Sequence, residues 1–114
     1  SRVDIAVLVA GDVSERSLSI KHSLPHDVTI PDLLVAGAVG DVLGRFLDKD
    51  GREIEHSINR RVSSISLEKL RAIKNVVLAA AGSHKREVIK AILSAGLAKT
   101  LITDDVTAEA LASA

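Results

Sequence analysis

The run Asn75-Val-Val-Leu-Ala-Ala-Ala-Gly-Ser-His-Lys85 leads directly into Arg86-Glu-Val-Ile-Lys-Ala-Ile-Leu-Ser-Ala-Gly96, and it leaves this chain few architectures. Val76 to Ala81 is apolar without alternation, the pattern of a strand covered on both faces. Gly82 permits a sharp turn, and Ser83 is placed to cap the helix behind it. Val88, Ile89, Ile92 and Leu93 recur at helical spacing, and Gly96 follows as the residue that ends the helix. Lys85 precedes those four by three, four, seven and eight residues, so it falls at the N-terminal end of their stripe. A lysine there points towards the carboxyl ends of the strands. Open α/β sheets bind ligands at that edge, and free amides at a helix N-terminus favour an anion. The alternative is a lysine whose stem covers apolar surface while its amine reaches water. Spacing alone leaves both open.

The rest of the chain repeats this grammar. Val3 to Val9 is a second apolar, β-branched run ending at Ala10-Gly11. Asp12 to Pro31 is polar and irregular and reads as a long loop, with Pro31 opening a short helix to Ala36. Asp41 to Asp48, the turn Asp48-Lys-Asp-Gly51 and Arg52 to Glu55 read as a β-hairpin. Asn59 to Ile65 reads as a connector or short strand, and Ser66 caps a helix from Leu67 to Lys74. Ala98 to Thr103 is a further strand, and Asp104-Asp105 leads into a last helix from Val106 to about Ala112. Successive strand–helix units with short loops imply a parallel sheet with right-handed crossovers, hence an α/β fold. Residues 1–114 are expected to form a single, partial domain, because a parallel strand opens the chain without a preceding crossover and no methionine is present.

Composition removes several function classes. Fifteen basic residues balance fifteen acidic ones, so there is no basic excess of the kind that binds nucleic acid or a membrane surface. The only aromatic is Phe46, too little for stacking on bases. With no cysteine there is no disulfide framework and no thiolate chemistry, which suits a reducing, cytoplasmic setting. No apolar run is long enough to span a bilayer.

In this reading Gly82, Ser83, Lys85, Thr103, Asp104 and Asp105 gather at the carboxyl edge of adjacent strands. An amine, helix amides and carboxylates there suit a hydroxylated, and in some cases phosphorylated, small ligand. Helix capping is the competing role for Asp104 and Asp105. Catalysis has less behind it, for there is no nucleophile elbow, Walker loop or GxGxxG, and no cofactor is implied. His22, His26, His56 and His84 lack metal-ligand spacing and read as surface or loop histidines. A calcium loop at Asp48-Gly51 fails, because Phe46 and Ser57 would occupy positions that require carboxylates. The arginine pair Arg60-Arg61 reads as a solvated surface or a phosphate contact.

Four segments taken together resemble one family. They are Gly37 to Gly51 (GAVGDVLGRFLDKDG), Arg61 to Leu70 (RVSSISLEKL), Ala80 to Lys85 (AAGSHK) and Leu101 to Ala108 (LITDDVTA). In this order they resemble the effector-binding domain of SorC/DeoR-type bacterial transcriptional regulators. The resemblance implies a Rossmann-like parallel sheet with helices on both faces, of the phosphosugar-isomerase/CoA-transferase kind, plus a small β-hairpin. It implies an effector domain that binds a sugar, polyol or sugar phosphate and controls oligomerisation and DNA binding by a separate helix-turn-helix, as a homo-oligomer and not an enzyme. By position it makes Asp48 and Lys85 the foremost effector contacts, followed by Arg61 and the Thr103, Asp104, Asp105 group. The helix-turn-helix and the glycine-and-threonine phosphate loop of the family have no counterpart here. An enzyme of the same fold, a sugar-phosphate isomerase or deaminase, is the alternative, with Lys85 and Asp104 near the reacting carbon.

Overall fold

The computed structural model describes residues 5–13, 24–25, 27–62 and 64–112. In chain order the elements are β1 (Ile5–Leu8), β2 (Ala10–Asp12), α1 (Ile30–Val35), β3 (Gly40–Val42), β4 (Arg45–Leu47), α2 (Ser57–Arg60) and α3 (Leu67–Arg71). They continue with β5 (Asn75–Ala79), a 3-10 turn (Ser83–Lys85), α4 (Arg86–Ser94), β6 (Thr100–Ile102) and α5 (Asp105–Ala112). The strands form a parallel sheet of order β1-β5-β6 and an antiparallel sheet of order β2-β3-β4. The chain crosses from one sheet to the other at Val9, so the expected single strand is two. His22, His26 and most of the expected Asp12 to Pro31 loop lie outside the described residues.

The α/β reading and its parallel unit β5–α4–β6 stand. Helix α4 buries Val88, Ile89, Ala91 and Ile92 against Leu8, Leu78, Leu67 and Leu70. Each large side chain so buried contributes roughly 1.5–3 kcal/mol. Gly96 ends α4 as expected. It takes a positive φ of 73°, its amide donates to the Leu93 carbonyl (3.1 Å), and the Leu97 amide donates to that of Ile92 (3.1 Å). Thr29 caps α1 in a reciprocal pair with Asp32, and Ser66 caps α3 through the Lys69 amide. Val28, Leu33, Phe46, Ile54 and Ile58 form a second cluster beneath α1 and α2.

Several local expectations change. Strand β5 is fully covered on one face only: Val76, Leu78 and Ala80 are buried and Val77 and Ala79 half-buried, while Ile5, Val7, Val9 and Ile102 beside it are between 61% and 70% exposed. Ser83 does not cap α4. Gly82, at φ 113°, sends the chain into the 3-10 turn, closed by the Lys85 amide on the Gly82 carbonyl (3.0 Å), and Lys85 becomes the N-cap residue. Asn59 to Ile65 is neither connector nor strand at its start, because His56 Nδ1 accepts from the Ile58 amide (3.0 Å) and opens α2. His56 is therefore a helix cap and not an idle surface histidine.

The hairpin is real but its main turn lies earlier than expected. Strands β3 and β4 are joined through Leu43-Gly44, both at positive φ (55° and 79°), the geometry of a type I′ turn. Across Asp48–Gly51 only Leu47 and Glu53 are bridged. Asn59 supplies what a longer partner strand would have given. Its Oδ1 accepts from the Phe46 amide (2.8 Å), and its Nδ2 donates to the carbonyls of Phe46 (2.9 Å) and Ile54 (3.1 Å).

Candidate functional site

The carboxyl end of β1 runs straight into β2, and β2 lies antiparallel to β3 with Gly11 opposite Asp41. With no Cβ on Gly11, the Asp41 carboxylate occupies the space above it; a methyl group there would collide with Asp41 Oδ1. Strand β2 places Asp12 next to it, buried to 5% exposure. From the other sheet, the turn after β5 brings Lys85 to the same place. Val9, Ala10, Gly11, Asp12, Asp41, Leu43, Gly44 and Lys85 line one cavity of about 390 Å³. A neighbouring cavity of about 440 Å³ shares Asp12 and is lined further by Leu34, Ser83, His84, Arg86, Glu87 and Lys90.

The electrostatics of the first cavity are unbalanced. Burial, foremost, and the charge of Asp12 push the Asp41 carboxyl above its ordinary value, while a hydrogen bond from the Gly44 backbone and the charge of Lys85 pull the other way. The folded chain therefore holds the Asp41 proton more tightly than the unfolded chain does. Stability from this group is fully present below the unfolded value of 3.8 and is lost as pH rises through the higher folded value. Asp41→Asn is accordingly expected to be more stable than the wild type at neutral pH. The gain should shrink to nothing in acid, as urea midpoints measured from pH 7 to pH 3 would show. A carboxylate kept at a cost to the fold is characteristic of a site selected for binding.

The residues singled out from the sequence fall into three groups. Lys85, Gly82 and Ser83 sit at the two cavities or in the turn that shapes them. Thr103, Asp104 and Asp105 connect to that turn through Thr107, which is fully buried and accepts from the Gly82 amide (2.8 Å). Asp104 Oδ1 in turn accepts from the Thr107 amide (2.7 Å), and hydrogen bonding from Thr107 holds the Asp104 carboxyl below its ordinary value. The Thr103 hydroxyl is buried with no hydrogen-bond partner among the described residues, and Asp105 is exposed at the start of α5.

Asp48 and Arg61 stand elsewhere. Asp48 Oδ1 accepts from the amides of Asp50 (2.9 Å) and Arg52 (3.0 Å), which fixes the turn. That turn packs on the last turn of α4, where a Cβ on Gly51 would strike the Ala91 carbonyl and Ala95. Asp48 is thus at the opposite end of α4 from Lys85. Arg61 makes a two-pronged pair with Asp27 (2.7 and 3.0 Å), both side chains well exposed, and the Asp27 carboxyl is lowered to about 2, first by the Arg61 hydrogen bond. Among the described residues no group of acidic, histidine or cysteine side chains is placed to hold a metal. Asp12 and Asp41 are the cavity residues that sequence reasoning missed. The one signal was an aspartate directly after the first apolar strand.

The sequence model of the Sugar-bind family, a sugar-binding domain, matches residues 1–113. The deoxyribonucleoside regulator of Bacillus subtilis is 33% identical over 110 residues, which is 96% of this chain and 35% of the relative. A DeoR family transcriptional regulator from Listeria monocytogenes superposes with a TM-score of 0.86 at 34% identity, covering 96% of this chain and 44% of that one. The full-length sorbitol operon regulator SorC of Klebsiella pneumoniae gives a TM-score of 0.86 at 26% identity, covering 96% of this chain and 36% of that one. The chain thus spans about a third of the full-length relatives it matches. With the family match running through both sheets and the cavity between them, the chain belongs to the sugar-binding domain family of SorC/DeoR-type transcriptional regulators.

Proposed function

We propose that residues 1–114 are the C-terminal part of the effector domain of a bacterial carbohydrate-responsive transcriptional regulator. The domain binds a sugar, polyol or sugar phosphate in the cytoplasm and passes the binding event to a homo-oligomer, whose DNA contacts come from a separate helix-turn-helix. One observation carries this reading. A half-buried carboxylate, Asp41, shares a cavity with the Lys85 amine and the buried Asp12 at the carboxyl end of a parallel sheet. Carboxylates accept from ligand hydroxyls, and the amine donates to hydroxyl or phosphate oxygen. Gly82, Ser83, Thr103, Asp104 and Asp105 shape the same edge. Asp48 serves the turn and Arg61 the surface pair with Asp27. The relatives carry the names of regulators, and binding without turnover is the role proposed for this site.

The test is a thermal-shift panel on the full-length chain with sorbitol, sorbitol 6-phosphate, ribose 5-phosphate, 2-deoxyribose 5-phosphate and glucose 6-phosphate. At least one compound should raise the midpoint. Lys85→Ala should remove the shift, since losing a charge-assisted hydrogen bond costs about 1.5–3 kcal/mol, tenfold or more in affinity. A panel without any shift overturns the reading. Consumption of the compound, followed by chromatography, moves the assignment to the isomerase or deaminase alternative.

A further inference from the structure

Leu43 is the one non-glycine residue with a positive φ (55°) among the described residues. The left-handed region costs an ordinary side chain roughly 1–2 kcal/mol, and asparagine or glycine is the usual occupant of this turn position. Leucine recovers little of that cost through the core. It belongs to neither core cluster, and 39% of it is exposed. What it does is form an apolar wall of the cavity that holds Asp12, Asp41 and Lys85.

The turn is held from outside, so its conformation does not depend on leucine. The Ser64 hydroxyl donates to the Leu43 carbonyl (3.0 Å). Two residues on, Arg45 donates to the carbonyls of Ser64 (2.7 Å) and Ile65 (3.0 Å) and pairs with Glu53 (2.9 Å). A strained residue in a surrounding that over-determines it, at the rim of a binding cavity, is strain kept for use.

We infer that Leu43 is a specificity-determining residue, its side chain covering the C–H face of the bound carbohydrate while Asp41 and Lys85 take its hydroxyls. This rests on the carbohydrate reading above. Sugars and polyols are amphipathic in this sense. A hydroxyl turned towards Leu43 would lose water without gaining a partner, so the leucine rejects isomers that place one there.

The experiment compares the wild type with Leu43→Asn and Leu43→Met in the full-length chain. Titration calorimetry with the five compounds of the thermal-shift panel reads affinity, and unliganded melting reads stability. Leu43→Asn, at ease in the left-handed region, should melt higher than the wild type without ligand. It should bind whichever of the five compounds the wild type binds about tenfold more weakly. Leu43→Met, apolar but strained, should keep the wild-type affinity within about threefold. Equal affinity in wild type and Leu43→Asn overturns the assignment of Leu43 and leaves the carbohydrate reading intact. Weaker binding together with a lower unliganded melting point makes Leu43 a structural residue and also overturns it. A wild type that binds none of the five compounds overturns the carbohydrate reading, and this inference with it.

Discussion

Asn59→Ala should lose about 3 kcal/mol of stability, read as a lower denaturant midpoint with an unchanged slope. The side chain makes three hydrogen bonds, all to backbone groups, and shares the Phe46 carbonyl with the Ile54 amide (3.1 Å). Each contributes on the order of 1 kcal/mol net, and the Phe46 amide and Ile54 carbonyl, deprived of this partner, add to the loss. Phe46 makes the position sensitive, because its backbone is the part Asn59 holds and its ring sits in the second core cluster. Asn59→Asp keeps the acceptor for the Phe46 amide but sets a carboxylate against the two carbonyls, so it should not rescue. Arg61→Gln, two residues along, removes an exposed, solvent-screened ion pair and should leave the midpoint nearly unchanged. A small effect of Asn59→Ala would mean that water replaces the amide at the edge of β4.

Gly40→Ala is expected to be about as damaging, for a different reason. A Cβ at residue 40 would run into the carbonyl of Gly11 on one side and into Val88 on the other. Val88 is fully buried in α4 and has no room to retreat. The Gly11 carbonyl is backbone of β2, paired with β3, and moving it disturbs the floor of the cavity. Overpacking of this kind typically costs 1–3 kcal/mol, and two rigid neighbours place this site at about 3. The variant should also weaken ligand-induced stabilisation, since Asp41 is the next residue. Destabilisation with binding intact would show that the helix shifts instead of the strand.

What could be read from the sequence was what is local and periodic. The β5–α4–β6 unit, the glycine end of α4, the Ser66 cap and the place of Lys85 at the carboxyl edge of the sheet all follow from spacing within one element and its ends. The second sheet followed only as a hairpin with its turn placed too late and without β2, because its strands are three residues each and its turn is Leu43-Gly44, which lacks the usual asparagine or aspartate. Helix α2 was hidden by its histidine cap and its length of four residues. The cavity carboxylates were hidden by distance along the chain. Gly11 and Asp41 are opposite one another only after β2 and β3 pair, and nothing in either segment announces the other. Asp48 illustrates the converse, a residue prominent in its motif that serves the turn it sits in.

A single residue, Val9, separates the strand that lies beside β5 from the strand that lies beside β3. The two sheets are therefore two vanes on one bent rod, with the bend at the cavity rim. Asp12 and Asp41 ride on one vane and Lys85 on the other. The carboxylates on one vane and the amine on the other thus face a single cavity, and a small molecule held there as proposed would bridge two sheets that the backbone joins through one residue.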